Sequence, residues 1–488
     1  MYYSYEHNMA KSTNNIKLPY PVEGIIRSAQ MNDTVAPEQA VETAVNVVFD
    51  RIGAWTSRKG ITTFATALAG PILSFGKFLK NASADRRLLA QVGNNISSWN
   101  GTTWTSVRTL TSTTNKARYS QFLNYVYTVN GSDAGGDAIQ TFDGTSYAAT
   151  NVGSLPKGDY VQAGYEGRVW VADRNTDRLY YSDIASITGI ITGGSDYIAS
   201  LSPQDGESIT GLQRVPRALL VFKQNHIYRV YSANNIDPYP AYNVGTFSQE
   251  SIVEAKDGIY FHHSSGFYKF QYEGQPVEIS RRIIDYVNAI PRTYYANVTG
   301  AYDGRDAITW SIGPTTVDGV TYTNCQVRYT ISTQIWTTYD LAEGNTPTAM
   351  ITYDSGNIIA QIVGTSQGGV FQQELGTTDN GKPISVDVIG GWMPLSDMWS
   401  HQSNFTGINV LCLNGAGFEV LHQTDKDLPN VWQSDGTITE NYATLLPNAS
   451  SADFNRVAFR IKGNTIGEQV IFDGIELQTV KDMGYEHN

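Results

Sequence analysis

Between residues 158 and 272 the chain reads Gly167-Arg168-Val169-Trp170-Val171-Ala172, a polar break, then Arg178-Leu179-Tyr180-Tyr181-Ser182. The form returns as Ala218-Leu219-Leu220-Val221-Phe222, a break at Gln224-Asn225, and His226-Ile227-Tyr228-Arg229-Val230-Tyr231. A third copy is Gly258-Ile259-Tyr260-Phe261-His262, the turn Ser264-Ser265-Gly266, and Phe267-Tyr268-Lys269-Phe270. Each time a run of aromatic and β-branched residues is answered, after a few polar or Gly residues, by a second such run. That is the signature of a β-hairpin.

A lone hairpin cannot bury one face, so repeated hairpins must pack on one another. Looser copies lie outward from these three, pairing 88–92 with 95–99, 125–129 with 139–142, 307–312 with 325–329, and 357–360 with 369–372. Two copies share a turn sequence, Asn100-Gly101-Thr102-Thr103-Trp104 and Asp143-Gly144-Thr145-Ser146-Tyr147. Successive copies are roughly 35 to 50 residues apart, the period of four-stranded propeller blades. The repeat predicts an all-β chain with a six- or seven-bladed β-propeller over residues 62–376.

Composition agrees with that class. Only 16% of residues are charged while 11% are aromatic, with 45 glycines, which suits strands and turns and excludes a coiled coil or a long disordered chain. The two cysteines, Cys325 and Cys412, have no metal-type spacing, so two free buried thiols are expected. Residues 1–8 lack the basic and apolar regions of a secretory signal, and no run approaches the ~18 apolar residues of a membrane span. A soluble protein made in a cytoplasm is the expectation. Acidic residues outnumber basic ones 46 to 34, a net charge of −12, which disfavours DNA binding by the whole surface but allows DNA to slide through a channel without sticking.

Residues 1–36 are polar and irregular, interrupted by Pro19-Tyr20-Pro21, and read as an extended N-terminal arm. Tyr5-Glu6-His7-Asn8 recurs as Tyr485-Glu486-His487-Asn488. Pro37 followed by acidic and Ala-rich positions predicts a short helix passing into a strand over 45–49. Ser280 is placed to cap a helix carrying Ile283, Ile284 and Val287 on one face, with Arg281 and Arg282 in its first turn. Beyond Gly376 the strands lengthen and alternate apolar with polar positions, predicting a C-terminal β-sandwich over 377–488. Residues 1–61 then form the arm and a signature segment.

That signature, Pro37, Glu38, Ala40-Val41, Asn46, an apolar run, Asp50-Arg51, Gly53, Trp55 and Arg58-Lys59-Gly60, resembles the N-terminal segment of tail proteins from short-tailed bacteriophages. The group is the tail hub or nozzle proteins, including the packaged-DNA-stabilisation proteins. The resemblance continues in order through the Gly167-Arg168 step, the 218–231 blade, Gln275-Pro276-Val277 with Arg281-Arg282-Ile283-Ile284, and Phe459-Arg460-Ile461-Lys462. It implies a hexameric ring of copies below the portal and its adaptor, retaining packaged DNA, conducting it during ejection, and docking tail fibres, spikes or a needle. The implied location is the virion tail, assembled in the host cytoplasm.

Several residues along the same chain invite an enzymatic reading. His262-His263 are strand neighbours and point to opposite faces, poorly placed to share a metal. Asp303-Gly304-Arg305-Asp306 and Asp143-Gly144 read as hairpin turns. Gly364-Thr365-Ser366-Gln367-Gly368 matches a nucleophile-elbow pattern, but a strand rather than a helix follows. Gly376 to Lys382 begins like a phosphate loop, yet Pro383 stands where Ser or Thr would hold Mg²⁺. No catalytic, cofactor-binding or metal residue is assigned, and no enzyme activity is expected. The alternative is a tail-spike propeller that binds or cleaves a glycan; a third reading is a cellular interaction scaffold.

Overall fold

The computed structural model describes residues 13–18, 23–27, 39–51, 54–80, 85–149, 152–186, 189–191, 193–198, 201, 205–233, 235–237, 241–272, 274–395, 402–446, 454–465 and 467–482. The repeated Tyr-Glu-His-Asn termini, Pro37, Glu38 and Gly53 lie outside these. The chain divides into two compact units, one of residues 60–334 and 340–380, the other of residues 1–59, 335–339 and 381–488. Among the described residues no helix is long and apolar enough to cross a membrane.

The larger unit is a β-propeller. Among the described residues it holds seven sheets in chain order, whose innermost strands are Ile72–Lys80, Arg118–Phe122, Tyr160–Tyr165, Ile209–Val215, Val253–Ala255, Thr299–Tyr302 and Pro347–Asp354. We number the sheets one to seven in that order. Six of these innermost strands touch the next one round, the fourth and fifth meeting through the turn Gln249–Ser251, and the seventh touches the first. The ring is therefore closed. Closure is made by a strand from before the first sheet: Ile61–Ala65 pairs antiparallel with Val370–Gln373 as the outermost strand of the seventh sheet. Gly60 makes the entry possible, since a Cβ there would lie 1.9 Å from the carbonyl oxygen of Thr378.

Every hairpin read from the sequence is the second and third strand of a sheet, as in Arg168–Asp173 with Arg178–Ser182 and Gly258–His263 with Gly266–Phe270. These strands hold the buried residues that fill the gaps between sheets. Trp170, Leu179, Leu219 and Val221 pack the third sheet on the fourth, and Leu220, Phe222, Ile259 and Phe261 the fourth on the fifth. Each such side chain contributes roughly 2 kcal/mol by leaving water. The twin turns fold alike: Asn100 Oδ1 accepts from the N–H of Thr102 and Thr103, and Asp143 Oδ1 from Thr145 and Ser146. Gly101 and Gly144 supply φ of +99° and +101°.

The innermost strands are also stitched by side chains that copy a peptide group. Gln121 Oε1 accepts from Leu79 N at 2.9 Å while its Nε2 donates to Leu79 O at 2.5 Å. Gln249 does the same with Leu212, at 2.6 and 3.0 Å, and Thr352 Oγ1 with Tyr302, at 2.8 and 3.0 Å. Each bridge joins neighbouring sheets where their main chains cannot pair directly.

The second unit draws on both chain ends. One sheet runs Val47–Arg51, Ala54–Ser57, Ile471–Asp482, Gly407–Leu413, Tyr442–Leu445, with Thr13–Lys17 also on Ile471–Asp482. The other runs Ile335–Asp340, Val41–Val45, Ile384–Gly390, Arg456–Thr465, Glu419–Thr424, Gln433–Thr437. Apolar residues of both, among them Leu18, Val41, Trp55, Phe459 and Phe472, line one cavity of about 70 Å³. Segments 1–61 and 377–488, read separately in the sequence, thus share sheets. Of the expected arm, residues 1–36, Thr13–Lys17 pairs as a strand with Ile471–Asp482, and Leu18, Ile25 and Ile26 are buried. Nor is 41–45 helical: it is a strand, as its β-branched residues Val41, Thr43 and Val45 prefer.

Ser280 does not cap a helix. Its hydroxyl accepts from Phe267 N at 2.9 Å, tying the fifth sheet's third strand, and the short helix Ile284–Asn288 follows a 3₁₀ turn, Arg281–Ile283. Ile283 and Val287 are buried together with Tyr286, whereas Ile284 is only half-buried.

Candidate binding site at the propeller mouth

The innermost strands all begin at one end of the ring, and there charged residues converge. Arg118 opens the second sheet and Glu250 sits in the turn before the fifth, so the two are not ring neighbours. Arg118 Nε nonetheless reaches Glu250 Oε1 at 3.1 Å, bridging the central opening. The guanidinium also donates from Nη1 to Asp159 O at 3.2 Å and lies over the Tyr160 ring, 4.4 Å from its centroid. Burial alone would raise the Glu250 pKa, but Arg118 and Lys116 outweigh it and hold the carboxyl at about 2.

Deeper in the opening, Lys77 projects from the first sheet's innermost strand. It is exposed to water yet walled by protein, which lowers its pKa against the pull of Glu254 and Asp354. Glu254 accepts from Gln213 Nε2 at 3.4 Å, and Asp354 pairs with Arg86 at 2.6 Å. Charges of both signs thus line the passage.

At the mouth a cavity of about 250 Å³ is lined by Lys116, Arg118, Arg174, Asp133 and Asp159, with Asn115, Asn130 and Asn297. Loops supply all of these except Arg118 and Asn297, the latter ending a 3₁₀ segment, Arg292–Asn297. Asp159 Oδ2 accepts from Ser132 Oγ at 2.6 Å and Arg174 N at 3.0 Å, and Asp133 Oδ1 accepts from Gly135 N at 3.0 Å. The carboxylates are therefore engaged in holding the loops.

The residues weighed from sequence lie elsewhere. His262 is fully buried against Phe267 and Tyr295, with neither ring nitrogen hydrogen-bonded; burial first, and His263 second, push its pKa to about 3. His263 instead meets Ser265 Oγ at 2.8 Å and Asn225 Oδ1 at 3.2 Å. Ser366 sits in the turn joining Ile359–Thr365 to Val370–Gln373. Asp303 Oδ1 accepts from three successive N–H groups, those of Arg305, Asp306 and Ala307. Cys325 and Cys412 are buried free thiols. Among the described residues no group of three His, Cys, Asp or Glu side chains is placed to hold a metal.

Sequence reading missed the mouth residues and also a buried ion triad, Lys223 Nζ with Asp205 Oδ2 at 2.8 Å and Asp177 Oδ2 at 3.1 Å, which ties the third sheet to the fourth. The usable signal for the mouth was position. Lys116, Arg118 and Asp159 stand just before or at the start of innermost strands, and Arg174 just after a second strand, so all fall at one end of the ring.

This architecture defines the chain as a β-propeller protein. No protein-family model matches it, and no curated protein does. Solved structures of similar fold include virginiamycin B lyase from Staphylococcus aureus, at 13% identity and a TM-score of 0.40 over 64% of this chain and 98% of that one. The RRP9 WD40 repeats match at 7% identity and 0.44, over 65% and 99%. YCF48 from Cyanidioschyzon merolae matches at 9% and 0.39, over 64% and 98%.

Proposed function

We propose that this chain is a structural subunit of a bacteriophage tail, a hub or nozzle protein forming a sixfold ring below the portal and adaptor. In this reading its two-sheet unit is a β-sandwich. The ring keeps packaged DNA in the head, conducts it during ejection, and offers its loops to tail fibres, spikes or a needle. The supporting observation is mechanical: Ile61–Ala65 closes the propeller against Val370–Gln373, and strands from near both chain ends share a sheet in the other unit. A ring loaded by DNA pressure needs subunits whose sheets are closed by pairing between segments far apart in the chain. Exposed Leu411, Leu413 and Tyr442 on adjacent strands offer apolar contact for assembly.

Electron microscopy of the purified chain, alone and with the adaptor, tests the proposal. A sixfold ring with an open axis is expected; a monomer under both conditions that also fails to copurify with virions rejects it. The alternative, a glycan-binding or glycan-cleaving tail spike, is favoured by the polar cavity at the mouth, and release of reducing sugar from host envelope glycans would establish it.

A further inference from the structure

The hydrogen-bond inventory of the mouth cavity is unbalanced. Its two carboxylates accept from loop donors, as described, but its three cations keep donors in reserve. Arg118 uses Nε and Nη1 on the protein, leaving Nη2 without a hydrogen bond among the described residues. Arg174 pairs with Asp159 Oδ1 only at 3.8 Å, beyond hydrogen-bond range, and its side chain is 51% exposed. Lys116 Nζ and the Asn297 side-chain amide make no hydrogen bond to the described protein, and both line the cavity. A concave site with unspent, positively charged donors selects a ligand rich in acceptors.

We infer that the mouth of the propeller binds a small oxyanion-bearing molecule, about the size of one sugar ring, whose carboxylate or phosphate is gripped by Lys116, Arg118 and Arg174. The volume, about 250 Å³, falls just below the roughly 300 Å³ at which sites for drug-sized ligands begin, so an oligomer would project outward. Asp133 and Asp159 limit the charge the site tolerates, which favours a single anionic group on an otherwise neutral, hydroxylated body. Asn297 is placed to serve that body. The inference does not depend on the chain being a tail component.

The test is calorimetric titration of the full chain with glucuronate, glucose 6-phosphate and glucose at low salt. Either charged probe should bind about tenfold or more tighter than glucose, and the difference should shrink in about 0.5 M salt. Which of the two binds assigns the head group as carboxylate or phosphate. Lys116→Ala and Arg174→Gln should each weaken the charged probe by about fivefold or more; Arg174→Gln should leave the melting temperature unchanged, while Lys116→Ala, which also removes a cation facing Glu250, should lower it slightly. The inference is overturned if neither charged probe binds saturably, if glucose binds equally well, or if Arg174→Gln, the more exposed of the two, binds as the parent does.

Discussion

Arg58 donates from Nε to Oδ1 of Asn46 at 2.7 Å, with the whole guanidinium removed from water and lying 5.2 Å from the Tyr339 ring centroid. Asn46 sits at φ +60° and donates its own Nδ2 to Ser385 O at 2.6 Å. A chain bend, a second strand and a third are thereby locked by one charged group. Arg58→Ala removes this hydrogen bond and the contact with the Tyr339 ring and empties a fully buried site, so urea unfolding should show a loss of about 3 kcal/mol. Arg58→Lys should recover little, because an ammonium cannot serve Asn46 and Lys59 O in the same plane. Equal stability of Arg58→Ala and the parent would show that this hub does not hold the unit.

The peptide-like bridges predict a local effect. Gln121→Leu keeps size but leaves Leu79 N and O unpaired, at about 2 kcal/mol. Hydrogen exchange should accelerate at the Leu79 amide and not at Leu212, with the pattern inverted in Gln249→Leu. Uniform acceleration along the propeller would contradict the assignment.

Glu250 gives stability a pH dependence of known sign. Its carboxyl, ordinarily near 4.5, titrates at about 2 in the fold, so the contribution is complete above pH 4.5 and is lost as pH falls towards 2. By linkage the loss is about 3 kcal/mol. Glu250→Gln should flatten the stability profile in that window while lowering the plateau above it. A profile that keeps its parental slope would place the titration elsewhere.

His262 acts on the neighbouring window. The unfolded imidazole gains its proton near pH 6.5, the folded one only near 3, so the native state loses stability as pH drops between those values. His262→Phe keeps a ring against Phe267 and Tyr295 and removes the titration. Thermal melts of this variant should change less between pH 6.5 and 4 than those of the parent.

Gly60→Ala should fail for a steric reason. The added methyl would press on the Thr378 carbonyl, which accepts from Ile61 N at 3.1 Å where the closing strand enters, and the cost should reach about 3 kcal/mol. A stable, fully folded Gly60→Ala protein would mean the entry strand can shift without loss.

The hairpins were legible because their residues obey a local rule. Trp170, Val171, Leu219 and Val221 carry enough apolar and β-branched character in short runs to declare strands and pairing together. The innermost strands were harder, since Arg118–Phe122 and Tyr160–Tyr165 carry Gln, Ser and Gly at the positions that bridge sheets or approach a neighbour. Ser280 looked like a helix cap because serine before a helical run does cap in isolation; tertiary contact with Phe267 claims its hydroxyl instead. Long-range partners were beyond local reading altogether. Nothing near Thr13 announces Lys481, and nothing near Arg118 announces Glu250, 132 residues on.

Closure by Ile61–Ala65 has a cost during biosynthesis. Its partner Val370–Gln373 leaves the ribosome 308 residues later, the difference between positions 373 and 65. At roughly 5 to 20 residues per second that is about 15 to 60 s in which the strand, with Ile61 and Phe64 uncovered, has no mate. Nascent chains of this protein therefore carry an unpaired edge until Val370–Gln373 has emerged, and crowded polysomes or slow codons between the two segments will favour swapping of that strand between sister chains.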